Sequence, residues 1–165
     1  MNLAGTKYWI PIKDGDARAR GLYHHHYSRY VYADGRNPMK IIGPGEYMCL
    51  LTEDSRALFV WKKFIDASGQ KGINNSIFRN EGDILSSLLI REAVEMAWQR
   101  WPGERLYTYI APKKIRSTNP GYCYLQAGWS KCGMTGKGLI IMELVANKKN
   151  DKKYQILVKT VDNHA

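Results

Sequence analysis

Two short stretches hold most of the side chains able to do chemistry. In Leu22–Tyr30, LYHHHYSRY, three of the chain's four histidines stand side by side, followed by a tyrosine and a serine. Imidazole titrates near neutrality, so His26 could serve as a general base on an amine. Together with a tyrosine or carboxylate from elsewhere it could instead bind iron or zinc. The run is internal and embedded in aromatic residues, which sets it apart from a purification tag. Neighbours on a helix point about 100° apart, so the three histidines cannot all face one metal, and His24 and His25 read as exposed polar positions. The second stretch, NPGYCYLQAGW, is punctuated as a short helix. Asn119 is a candidate N-cap, Pro120 suits the first helical position, and Gly128 can end it.

The charge balance adds a partner class. Twenty-five Lys and Arg against fifteen Asp and Glu leave a net charge of +10, spread along the chain. Such a surface raises encounter rates with polyanions, nucleic acid first. Aromatic residues beside basic groups can stack on bases. Lys113, Lys114 and Arg116 in APKKIRS could grip a phosphate backbone, a salt-sensitive contact that carries no sequence information. NKKNDKK reads as a plain surface turn.

At 165 residues, 44% of them hydrophobic and 24% charged, the chain reads as one globular domain, 1–165, able to bury a core. No apolar run approaches the roughly 20 residues that span a bilayer, and the N-terminus has no charged-then-apolar signal pattern. Three cysteines without CxxC spacing indicate neither a disulfide framework nor a cysteine zinc site. The expected compartment is reducing and cytoplasmic.

The elements that must position these groups follow in order. KYWIPI reads as a first strand, and DGDARARGLYHHHYS as a helix opened by an aspartate. A Gly- and Pro-rich loop leads to a hairpin of YMCLLT and ALFVWKKF joined by EDSR. DASGQKGINN reads as a loop and SIFRN as a strand. Apolar residues at helical spacing predict a long helix from Ile84 to Arg100, capped by Asp83 and stopped at Pro102-Gly103. RLYTYIA is a strand before the short helix, and GLIIMELV and KYQILVKTV supply one or two last strands. The result is an α/β order with a mixed, mostly antiparallel sheet.

The long helix, strand and NPGYCYLQAGW together resemble the second half of the GNAT N-acetyltransferase fold. That family has an Asn opening a short helix, a Tyr four residues before a Gly, and an aromatic after that Gly. Asn119, Tyr124, Gly128 and Trp129 stand in that order here, with a shorter Asn-to-Tyr spacing. The resemblance implies an α/β (α+β) fold, its twisted mixed sheet flanked by helices and splayed between the two central strands. It implies substrate at that splay, beside APKKIRS, and Tyr124 as the general acid that reprotonates a leaving thiolate. It also implies pyrophosphate of acetyl-CoA at the N-terminus of the long helix, on a turn usually written Arg/Gln-x-x-Gly-x-Gly/Ala. RNEGDILSS keeps Arg79 and Gly82 as contacts for an anionic cofactor, but Asp83 and Ile84 stand where the turn should continue. Glu81 and Asp83 set negative charge against a pyrophosphate, which argues against ordinary acetyl-CoA use.

A narrower resemblance covers both the histidines and that departure. Phage Mom-type DNA modification proteins are similar to divergent GNAT folds without the usual CoA loop. They carry His-Tyr-Ser in the N-terminal helical region, matched by His26-Tyr27-Ser28, and a Gly-x-x-Tyr-x-Ala-x-x-Trp-like stretch. Gly121, Tyr124, Gln126, Ala127 and Trp129 fall near the latter. This resemblance implies DNA as partner, transfer of a small acyl or carbamoylmethyl-type group to the exocyclic amine of adenine, and, if phage-encoded, the host cytoplasm. Tyr27 and Ser28 would then stack on or hydrogen-bond to a flipped base. The family's strand-end Asp has no counterpart in YIAPKKIR. Two other readings stay open: a conventional acyl-CoA-dependent N-acyltransferase, and a non-catalytic DNA-binding module on a GNAT scaffold.

Overall fold

A computed structural model describes residues 5–36, 38–65, 67–115 and 118–146. Among these described residues, seven strands form one sheet in the order β1-β2-β3-β4-β5-β7-β6. They are β1 (Trp9–Ile12), β2 (Glu46–Thr52), β3 (Ala57–Lys63), β4 (Ile73–Asn80), β5 (Leu106–Ile110), β6 (Ser130–Met134) and β7 (Ile140–Leu144). The α-helices α1 (Ala17–Tyr23), α2 (Ser86–Arg100) and α3 (Tyr122–Gln126) lie between strands. All neighbours are antiparallel except β4 and β5, the parallel pair in the middle. The expected mixed, mostly antiparallel sheet with flanking helices is what forms.

Period-two alternation on β2 and β3 builds the two cores. Met48, Leu50, Phe59 and Trp61 point to one face with α2, while Cys49, Leu51, Leu58 and Val60 point to the other with Leu22 and Tyr23 of α1. These strands are buried on both sides, which is why they read as nearly continuous apolar runs. On the α2 side, Trp9 and Trp61 donate their indole N–H groups to the Leu89 and Ala93 carbonyls. Glu92, also on α2, accepts the backbone N–H groups of Lys7, Tyr8 and Trp9 at 3.1, 2.8 and 2.9 Å. That carboxylate fastens the first strand across the helix.

Several boundaries differ from the sequence reading. β4 begins at Ile73 rather than at Ser76, because Ile73 N–H bonds to Arg105 O at 2.8 Å and pulls INN into the sheet. Gly72 permits this approach with φ of +123°; a Cβ there would sit 2.2 Å from Arg105 O. α2 starts at Ser86, and Asp83 does not cap it but pairs with Arg56 at 3.2 Å. Asn80 fills the preceding turn instead, accepting from Gly82 N–H and donating to Ile84 O and Ser86 Oγ. α3 begins at Tyr122 with Gly121 as its cap at φ of +82°, so Asn119 and Pro120 belong to the turn before it. The elements follow one another along the chain as expected, but the last two strands are Ser130–Met134 and Ile140–Leu144. KYQILVKTV and NKKNDKK lie outside the described residues. Among the described residues no helix is long and apolar enough to cross a membrane.

Candidate active site

β4 and β5 pair only from Ile73–Leu106 to Asn75–Thr108, after which the strands part. An extra residue in β4 sharpens the divergence: Asn75 faces Trp61 and Ile77 faces Val60, leaving Ser76 as a bulge. The wedge between the strands is a cavity of about 350 Å³. Asn75 and Phe78 from β4, Thr108 and Tyr109 from β5, and Tyr124 from α3 contribute to its walls. His26 and Tyr27 close it from the segment after α1. The early imidazole and the late phenol, about a hundred residues apart in the chain, therefore meet in one cleft.

The histidine run owes its arrangement to the end of α1. The helix stops at Tyr23, with His24 as its C-cap, so the three histidines are not on a helix as the sequence suggested. Tight turns with His25 N–H on Leu22 O and His26 N–H on Tyr23 O send them apart. His24 is half-buried, His25 meets Glu81 at 3.1 Å, and His26 is 7% exposed in the cleft. The His26 ring stacks on Tyr27 with centroids 4.4 Å apart. Its Nδ1 accepts the Ser28 backbone N–H at 3.2 Å and lies 2.7 Å from Ser28 Oγ. A ring nitrogen that accepts from a backbone N–H carries no proton, so the neutral imidazole is protonated at Nε2. Burial, then the positive charge of Arg79, pushes its pKa down to about 4. At neutral pH His26 is thus a hydrogen-bond donor through Nε2. The general-base role would need the other tautomer, which the Ser28 N–H opposes.

Tyr124 is positioned by aromatic packing and one amide. Its ring meets Trp129 edge-on at 5.0 Å and Phe78 at 6.3 Å, and Trp129 lies parallel to Trp61 at 6.2 Å. The phenol donates to Asn75 Oδ1. Asn75 in turn is oriented by its own amide, which donates to Val60 O and Ile77 O at 2.9 Å each. Thr108 Oγ1 donates to Asn75 O at 2.9 Å. Burial raises the Tyr124 pKa well above the ordinary phenol value, so the group stays protonated at neutral pH. Tyr27 is 38% exposed, its hydroxyl donates to Tyr109 O at 3.5 Å, and burial raises its pKa too.

Sequence reasoning missed Asn75 and Thr108, which hold Tyr124 at the point of divergence. The signal available was INNSIFRN itself, where two asparagines interrupt strand-forming residues; both are buried. A buried amide inside a strand must be hydrogen-bonded, and so points to a polar site.

Arg79 and Gly82 have work other than the pyrophosphate contact that the resemblance implied. Arg79 Nη1 donates to His25 O at 3.0 Å, and its Nε lies 3.7 Å from Glu81. Glu81, held below the usual carboxylate range first by His25 and also by Arg79, completes a cluster that braces the turn before His26. Gly82 N–H is taken by Asn80 Oδ1 and Glu81 N–H by Arg56 O. With these donors spent and two carboxylates beside them, the β4–α2 turn does not fit a pyrophosphate cradle. Among the described residues no group of three or more His, Cys, Asp or Glu could hold a metal ion, so the iron or zinc suggested for His26 finds no second and third ligand of these types. Lys113 and Lys114 are exposed on a single 3-10 turn after β5, and Ile115 next to them lines the cleft. Arg116 lies outside the described residues.

The fold has a parallel among solved structures. The GNAT domain of S. lividans PAT is similar to this chain with a TM-score of 0.56 and 15% sequence identity, over 84% of this chain and 89% of that one. At that identity the likeness is one of fold, and the chain has a GNAT-type fold. No protein-family model matches the sequence, and no curated protein does.

Proposed function

We propose that this chain is a group-transfer enzyme of the phage Mom type, modifying the exocyclic amine of adenine in DNA within the β4–β5 wedge. The observation that carries this reading is the meeting of His26-Tyr27 and Tyr124 in one cavity that the rings of Phe78, Tyr109 and Tyr122 also line. Such walls suit a planar heteroaromatic ring better than a flexible aliphatic amine. A base in a duplex must leave the stack to enter, and the cations at Lys113 and Lys114 suit the phosphates that flank it.

The roles follow from the protonation states. His26 donates through Nε2 to a ring-nitrogen acceptor beside the adenine amine, which aims that amine into the cleft. Tyr27 stacks against the base, and Ser28 keeps the imidazole in its donor tautomer. The amine nitrogen bonds to the donor's carbon as the bond from that carbon to its leaving group breaks. Tyr124 gives its proton to the leaving group, and the proton lost from nitrogen passes to solvent, which restores the phenol. Arg79 acts by holding the turn that carries His26.

Mass spectrometry of nucleosides from cells expressing the protein tests this reading. Deoxyadenosine carrying an added mass is expected with the wild type and lost with Tyr124→Phe at equal protein level. Only standard nucleosides, from cells holding folded wild-type protein, would contradict it. Unmodified DNA together with acylated small amines or protein would instead favour the acyltransferase reading.

A further inference from the structure

The segment that follows His26-Tyr27-Ser28 is unusual for a surface. Tyr30 is 60% exposed, and Val31 and Tyr32 are 42% and 41% exposed. Consecutive apolar side chains in water mark an interaction site more often than isolated ones do. The segment is also built rather than loose. Tyr23 OH accepts Tyr30 N–H at 2.7 Å, Tyr32 N–H bonds to Arg36 O at 3.1 Å, and Gly35 N–H to Tyr32 O at 2.9 Å. Asp34 pairs with Arg36 at 2.6 Å and turns that guanidinium over the Tyr32 ring, 4.9 Å from its centroid. The Tyr30 and Tyr32 rings stand edge-to-face at 5.3 Å. Arg29 N–H bonds to His26 O at 3.2 Å, so this aromatic tip continues directly from the cleft wall.

Charge decides which partner fits. The tip carries the exposed Arg29 and Arg36 on a chain of net charge +10, so its occupant offers both anions and flat apolar faces. Unstacked nucleotides have both; a fully paired duplex hides its base faces. We infer that Tyr30 and Tyr32 form a stacking wedge for the nucleobases next to the target, exposed when the adenine is drawn into the cleft. This rests on the DNA reading above and adds to it that the enzyme prefers locally opened DNA and holds it open with this tip.

Binding of labelled DNA to the full chain tests the inference. The probes are a fully paired duplex, the same duplex with one abasic position beside an adenine, and the single strand. Wild type should bind the opened duplex and the single strand on the order of tenfold more tightly than the paired duplex. Tyr30→Ala with Tyr32→Ala should abolish that preference and leave paired-duplex affinity within about twofold. Tyr30→Phe with Tyr32→Phe should keep it, because stacking uses the ring and not the hydroxyl; this pair also guards against loss of fold. An alanine variant with the preference intact would overturn the wedge and leave the DNA reading standing. Wild type that binds all three DNAs equally would do the same. Wild type that binds no DNA would overturn both. Conversion of a dimer to a monomer by the alanine pair, with the preference for opened DNA unchanged, would assign the tip to self-association and overturn the wedge.

Discussion

At the scale of single residues, the distinctive feature is a histidine kept neutral by its own chain. His26 belongs to a motif visible in the sequence, but its tautomer is set by the Ser28 N–H, a backbone group that no residue type reveals. Its pKa of about 4, against an ordinary 6.5, makes it a stability element with a definite sign. The unfolded chain takes up the proton more readily, so the folded state is favoured fully above about pH 6.5 and loses that advantage as pH falls toward 4. Between pH 7 and pH 5 the loss comes to about 2 kcal/mol. His26→Asn keeps an oxygen able to accept the Ser28 N–H and cannot titrate. Its urea-unfolding free energy should therefore fall less over this interval, by about that amount. An identical acid limb in the two proteins would contradict the neutral, buried imidazole. Tyr124 was legible in the sequence for a related reason, through its spacing to Gly128 and Trp129. Asn75, which accepts the hydrogen bond of its hydroxyl, was hidden because the strand containing it read as the end of a loop.

At the scale of elements, the hydrophobic pattern disclosed the order and the packing disclosed the ends. Buried strands such as β2 and β3 and the long helix α2 carry strong apolar periodicity, so their existence was plain. β6 escaped because it is an edge strand, exposed along its whole length, with Gly133 and two polar residues in its five. Nothing in SKCGM alternates toward a core, and pairing with β7 alone makes it a strand. Asp83 resembled a cap by type and place; Asn80 holds the turn instead, since it reaches both Gly82 N–H and Ser86 Oγ. The attachment of β1 was equally invisible, because Glu92 lies more than eighty residues from the N–H groups it accepts. Glu92→Ala should leave those donors without the carboxylate, Trp9 N–H among them in the core, and cost about 3 kcal/mol, read from chemical unfolding. A loss under about 0.5 kcal/mol would show that β1 is held by its pairing with β2 alone.

At the scale of the whole molecule, the GNAT-type sheet explains why chemistry from both ends of the chain converges. The parallel β4–β5 contact is short, the strands part after Asn75 and Thr108, and the turn after α1 and the helix α3 arrive on the opened gap from the two halves of the sequence. The net charge of +10 is a property of composition and was countable from the start, whereas the filling of the β4–α2 turn by Asn80 and Arg56 required coordinates. The function proposed above depends on one cleft serving one substrate through His26 at one side and Tyr124 at the other. The most direct test is to titrate protein labelled at its histidine and tyrosine rings with an adenine-containing single strand and follow both signals by NMR. The His26 and Tyr124 resonances should shift together, along curves described by one dissociation constant, and a strand lacking adenine should move them far less. Signals that respond with different affinities, or that stay still while DNA binds, would contradict the shared site.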